Sequence, residues 1–125
     1  MSKAGYALPN SETIHHATFG NGMTVLVYEN PAVESVVIYG SLLTGSVFEP
    51  LQRSGIASMT ANALLRGTTT RDFETLHSEL EDIGAELDMS TSKYRVTFSG
   101  RALAEDFSTL MDVFADSLRN PIFDA

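Results

Sequence analysis

The stretch that most constrains this chain runs from residue 55 to residue 71, Gly-Ile-Ala-Ser-Met-Thr-Ala-Asn-Ala-Leu-Leu-Arg-Gly-Thr-Thr-Thr-Arg. Its spacing predicts one amphipathic helix followed by a tight exit. Ile56, Met59, Thr60, Ala63 and Leu64 fall at i, i+3, i+4, i+7 and i+8, the positions of a buried stripe. Ser54 is placed to cap the N-terminus, and Gly67 to end the helix in the left-handed conformation. The neighbouring face carries Ser58, Ala61, Asn62 and Leu65. Ser58 and Asn62 are four apart and sit one above the other, a spacing at which a helix holds a metal with two ligands. A hydroxyl and an amide are poor zinc donors beside imidazole, thiolate or carboxylate. The face has the geometry of a metal site without its chemistry.

The frame G-I-A-S-M-T-A-N-A-L-L-R-G-T resembles the active-site helix of the pitrilysin/insulinase (mitochondrial processing peptidase) family of zinc metallopeptidases. Active members carry H-x-x-E-H in a similar frame, an inverted zinc-peptidase motif. Carried over residue by residue, the first His falls on Ser58, the Glu on Ala61 and the second His on Asn62. All three are replaced. The resemblance places a third ligand, a Glu, downstream of residue 125, and one carboxylate does not hold zinc alone. It therefore implies a non-catalytic member or repeat, with no catalytic, cofactor-binding or metal residue in this chain and zinc in a catalytic partner or other half.

The resemblance extends beyond the helix. "TFGNGMTVLVYEN" and "ESVVIYGSLLTGSVFEP" are similar to the opening strands of the family domain, and the stretch from "RDFETL" to "NPIF" follows its helix, strand, strand, helix sequence. Roughly residues 12–125 are covered. The family's repeat unit is longer than this, so residues 1–11 are expected to be a flexible lead-in and residues 12–125 the N-terminal portion of a single domain that continues further.

The chain read in order supports the same fold class. Thr13 to Phe19 and Met23 to Glu29 predict a hairpin about Gly20-Asn21-Gly22, apolar enough on both faces for a covered sheet. Ser35 to Leu43 is rich in β-branched and aromatic residues and predicts a third strand. The strand is either a sheet edge suited to adding an extended peptide or an internal, already paired strand. Asp72 or Thr70 caps a second helix to about Ile83, with Phe73, Leu76, Leu80 and Ile83 inward and Glu74, Glu79, Glu81 and Asp82 toward water. Ala85 to Ser90 alternates strictly; Tyr94, Val96 and Phe98 alternate with Arg95, Thr97 and Ser99, and Gly100 breaks that strand. A third helix is expected from about Ala102 to Leu118, with Leu103, Phe107, Leu110, Met111, Phe114 and Leu118 buried and Asn120-Pro121 as its stop. The order is β-β-β-α-α-β-β-α, an α+β fold with helices on a largely antiparallel sheet.

Composition narrows the function. Eight basic against sixteen acidic residues give a net charge of −8, which disfavours nucleic acid and anionic membranes as partners. There is no Cys, hence no disulfide framework, thiolate metal site or cysteine nucleophile. No apolar run reaches the ~18 residues of a membrane span, and the first residues do not read as a secretory signal. A soluble protein is expected, in the cytoplasm, periplasm or an organelle matrix. His15 and His16 are adjacent on a strand and point to opposite faces, so they do not chelate one ion; His77 is expected at a solvated or rim position.

The reading that follows is a non-catalytic subunit or half of an insulinase-family peptidase assembly. It would help form the peptide-binding chamber, as part of a hetero- or homo-oligomer with a catalytic subunit or domain and with peptide substrates. The alternatives are a structural scaffold similar to the core proteins of the respiratory cytochrome b–c complex, and a zinc peptidase with unusual ligands.

Overall fold

The computed structural model describes residues 8–123. It divides into two compact units, one up to Val33 and one from Glu34 onward.

The first unit is an antiparallel hairpin. Strand β1 (Ile14–Thr18) pairs with β2 (Thr24–Tyr28), with Ile14 opposite Tyr28 and Thr18 opposite Thr24. Gly22 at φ +84° makes the reversal, and its N–H donates to Phe19 C=O at 2.9 Å. Before β1, the Asn10 side chain accepts from the Glu12 and Thr13 N–H groups and turns the chain into the strand. The rest of the expected lead-in, residues 1–7, lies outside the described residues. The covered sheet expected from the hairpin's apolar faces does not appear within this unit: Leu26 and Val27 are exposed and Val25 is half-buried. Two strands alone have no second layer to cover them.

The second unit holds β3 (Ser35–Leu42), α1 (Ile56–Ala63), α2 (Phe73–Asp82), β4 (Glu86–Thr91), β5 (Val96–Leu103) and α3 (Phe107–Arg119). The α+β order expected from sequence is the order observed. The sheet runs β3-β5-β4, antiparallel throughout, so β3 is an edge strand and not an internal one among the described residues. Helices α2 and α3 cover one face. Leu76, Leu80, Ala102, Leu110 and Val113 form the core, with Ile38, Ala85 and Leu87 against it. Alternation along the β4–β5 hairpin is as expected, with Met89, Val96 and Ala102 buried and Glu86, Asp88 and Ser90 outside, although Tyr94 is exposed.

Gly100 does not break β5. It lies mid-strand opposite Ile38, where a Cβ would stand 2.9 Å from Ile38 Cγ1, so glycine here makes room for a core side chain. Gly40 does the same for Phe98, whose ring would overlap a Cβ there and which packs on Phe114 with centroids 4.6 Å apart. Because β5 continues to Leu103, which pairs with Ser35, α3 starts at Phe107 after a short 3₁₀ turn instead of near Ala102. Its buried side is Leu110, Val113, Phe114, Asp116 and Ser117; Leu103 is exposed on the strand, and Phe107, Met111 and Leu118 are half-buried. Two of the buried positions are polar.

Candidate functional site: helix α1 and its exit

Helix α1 forms over the motif frame but is shorter, and turned about its axis, relative to the sequence expectation. Ser54 does not cap it. Gly55, at φ +94°, is the N-cap, and Glu49 supplies the missing acceptor from an earlier turn. The Glu49 carboxylate accepts from Gly55 N–H at 2.8 Å and Ala57 N–H at 2.7 Å, satisfying donors at a positive helix end. The segment that carries Glu49 is itself docked on the β4–β5 turn, where Val47 N–H donates to Lys93 C=O at 2.9 Å. Gly45 sits so close to that turn that a Cβ would stand 2.6 Å from Ser92 O.

The expected stripe is inward only at its end: Ala63 and Leu64 are half-buried, while Ile56, Met59 and Thr60 are exposed. Met59 is 73% exposed and Ile56 43%, whereas Ala61 is buried at 2%. The buried and half-buried residues are Ala57, Ala61, Ala63, Leu64 and Leu65, so the first two turns face inward one residue away from the expected phase. Tertiary contact with β4 sets this phase, since Thr91 Oγ1 donates to Ala57 C=O at 3.2 Å. The helix ends at Ala63 with Leu64 as C-cap, four residues before Gly67.

The three motif positions therefore separate in environment. Ser58 and Asn62 are exposed and neutral, and Ala61 presents a buried methyl. These residues do not fit a zinc ion, because no imidazole, thiolate or carboxylate lies among them. Among the described residues no group of three or more His, Cys, Asp or Glu is placed to hold a metal. His15 and His16 are exposed neighbours on β1. His77, expected at a solvated or rim position, is half-buried; its Nε2 lies 3.2 Å from Leu65 C=O and its ring 4.2 Å from that of Phe73.

The exit of α1 carries a site that the sequence reading missed. Asp116, from the buried side of α3, accepts on Oδ2 from Thr68 Oγ1 at 2.6 Å, Thr70 Oγ1 at 2.8 Å and Arg71 Nη1 at 2.8 Å. Its Oδ1 accepts from Asn120 Nδ2 at 2.8 Å. The Thr68 hydroxyl first, then the Asn120 amide, with Thr70 and Arg71 adding to them, hold the Asp116 carboxyl well below the usual carboxylate range despite its burial. Arg71 bridges to Glu79 at 2.8 Å, and Glu79 before Asp116 pushes the guanidinium above its ordinary value. Glu79 is thus half-buried and paired, not solvated with Glu74, Glu81 and Asp82. Asp72 caps α2 as expected: it accepts from Thr75 N–H at 2.8 Å, which lowers its own pKa. The available signal was an Asp one residue before Ser117 on the apolar side of α3, opposite a Gly-Thr-Thr-Thr-Arg turn rich in donors. A cleft of about 330 Å³ lies between Ala63, Arg66, Phe73, Ile122 and Phe123, with Arg66 5.8 Å above the Phe73 ring.

Comparison with known proteins agrees with this architecture. The model of the insulinase family (peptidase family M16) matches residues 24–125. An uncharacterized zinc protease of Rickettsia felis is 30% identical over 90% of this chain and 27% of its own length. A probable mitochondrial-processing peptidase subunit beta of Arabidopsis thaliana is 30% identical over 86% of this chain and 20% of its own. The cytochrome b-c1 complex subunit 1 of Caenorhabditis elegans is 32% identical over 86% of this chain and 23% of its own. The chain thus spans a quarter or so of the curated relatives it matches. The crystal structure of a peptidase M16 inactive domain from Pseudomonas fluorescens superposes with a TM-score of 0.82 at 21% identity, over 90% of this chain and 27% of that one.

Proposed function

The chain belongs to the insulinase family (peptidase family M16), and on that premise we propose that it is a non-catalytic subunit or half of a zinc peptidase assembly. Its part is to help form the chamber in which peptides are bound. The observation that carries this reading is the motif helix, kept in frame from Gly55 to Thr68 with Ser58, Ala61 and Asn62 at the three chemical positions. Family catalysis needs a metal to activate water and a carboxylate to move its proton. Neither a metal-holding pair nor that carboxylate is present on α1, so the zinc belongs to a partner or another half. The Pseudomonas domain is an example of this fold in an inactive form. The strands β3 and β4 each leave an outer edge without a strand partner among the described residues, which suits the addition of an extended peptide.

The test is affinity capture of the intact protein from its own cells, followed by native mass spectrometry. A stoichiometric partner or linked half with an intact H-x-x-E-H and zinc is the expected result, and removing this chain should lower peptide turnover. Turnover unchanged by its removal would sink the reading. The similarity to a cytochrome b-c1 complex subunit favours a second reading, a structural scaffold. Recovery within a large membrane complex lacking an intact motif would select it.

A further inference from the structure

We propose that Asp116 is a latch that fixes the exit of the motif helix, so that the end of α1, the start of α2 and the segment after α3 move as one body. The connector 64–72 has little apolar anchorage of its own. Leu64 and Leu65 are half-buried, and its two buried residues are Gly67 and Thr68. The apolar core lies elsewhere, among α2, α3 and β5. Order in the connector therefore depends on polar bonds: besides the Arg71–Glu79 pair and backbone bonds such as Thr68 N–H to Arg71 C=O, three of its side chains converge on one carboxylate. Thr68, Thr70 and Arg71 all donate to Asp116 Oδ2. Thr68 Oγ1 in turn accepts from the Thr70 and Arg71 N–H groups, at 3.2 and 3.0 Å, which folds the turn around the hydroxyl that Asp116 holds.

The same residue governs the segment that follows α3. Asn120 donates to Asp116 Oδ1, and its carbonyl accepts from Thr69 N–H at 2.9 Å. Ile122 N–H donates to Gly67 C=O at 3.1 Å, and Thr68 bridges to Pro121. Ala63, Arg66, Phe73 and Ile122, which wall the cleft, all stand on these tied segments. Releasing Asp116 frees the connector and opens the cleft while the sheet and its two packed helices stay closed. Regions held by few buried apolar contacts open below the global unfolding free energy, which makes such a local event observable.

Hydrogen exchange of the intact protein near neutral pH, read by mass spectrometry, tests the latch with Asp116→Asn. Peptides spanning 67–72 and 120–123 should exchange about tenfold faster or more, with those over 96–103 and 107–115 changed less than about twofold. A change of equal size everywhere, or none at 67–72, overturns the latch. Thr70→Val keeps the charge and removes one donor; it should give a smaller increase confined to the same peptides. An unchanged connector in that variant, or acceleration that extends through β5, also overturns it.

Discussion

A carboxylate that accepts from Thr68, Asn120, Thr70 and Arg71 is stabilised in its charged form, which makes Asp116 an acid-sensitive residue of the fold. Its folded pKa lies below the ordinary 3.8, so its contribution is complete above about pH 4 and is lost as pH falls through the lower folded value. Asp72 acts in the same direction. Thermal unfolding followed from pH 7 down to pH 2 should show the gap between the protein and its Asp116→Ala variant shrink below about pH 4. At neutral pH that variant should lose about 1–3 kcal/mol, because Thr68, Thr70 and Asn120 lose the acceptor they share while Arg71 keeps Glu79. Ser117, fully buried beside it, has a hydroxyl with no hydrogen-bond partner among the described residues. Ser117→Ala should therefore be neutral or stabilising by up to about 1–3 kcal/mol in denaturant titration. A clear loss would show that the hydroxyl is satisfied.

At the scale of elements, the identity of each helix and strand was legible because it is a local property. The period-2 runs over Glu86–Thr91 and Val96–Phe98 and the capping Asp72 all act within a few residues. Phase and boundaries were not. Helix α1 turns its Ala57–Ala61 side inward because β4 is there, and Glu49 caps it from outside the helix; periodicity within residues 55–71 holds neither fact. Gly100 reads as a breaker until Ile38 is placed opposite it. Gly40 makes the same point in reverse, since Phe98 fills the space a side chain would need. Gly40→Ala should cost about 1–3 kcal/mol by displacing that ring, with loss of near-ultraviolet dichroism in proportion. An unperturbed variant would mean that β3 and β5 are not in this register.

For the molecule as a whole, membership of the insulinase family was readable from sequence, since the frame that carries the resemblance is contiguous. The Asp116 network was not, since Thr68 and Asp116 stand 48 residues apart and only the fold unites them. Among the described residues no helix is long and apolar enough to cross a membrane. The net charge of −8 disfavours binding to the phosphate backbone of nucleic acid. The exposed side of α1 offers a metal only the neutral oxygens of Ser58, Thr60 and Asn62. The direct test is the zinc content of the separately purified protein after incubation with equimolar zinc and removal of excess metal. The expected content is far below one zinc per chain, about 0.1 or less, with no change in Ser58→Ala or Asn62→Ala. Stoichiometric zinc that disappears in either variant would contradict it and restore a metal centre to α1.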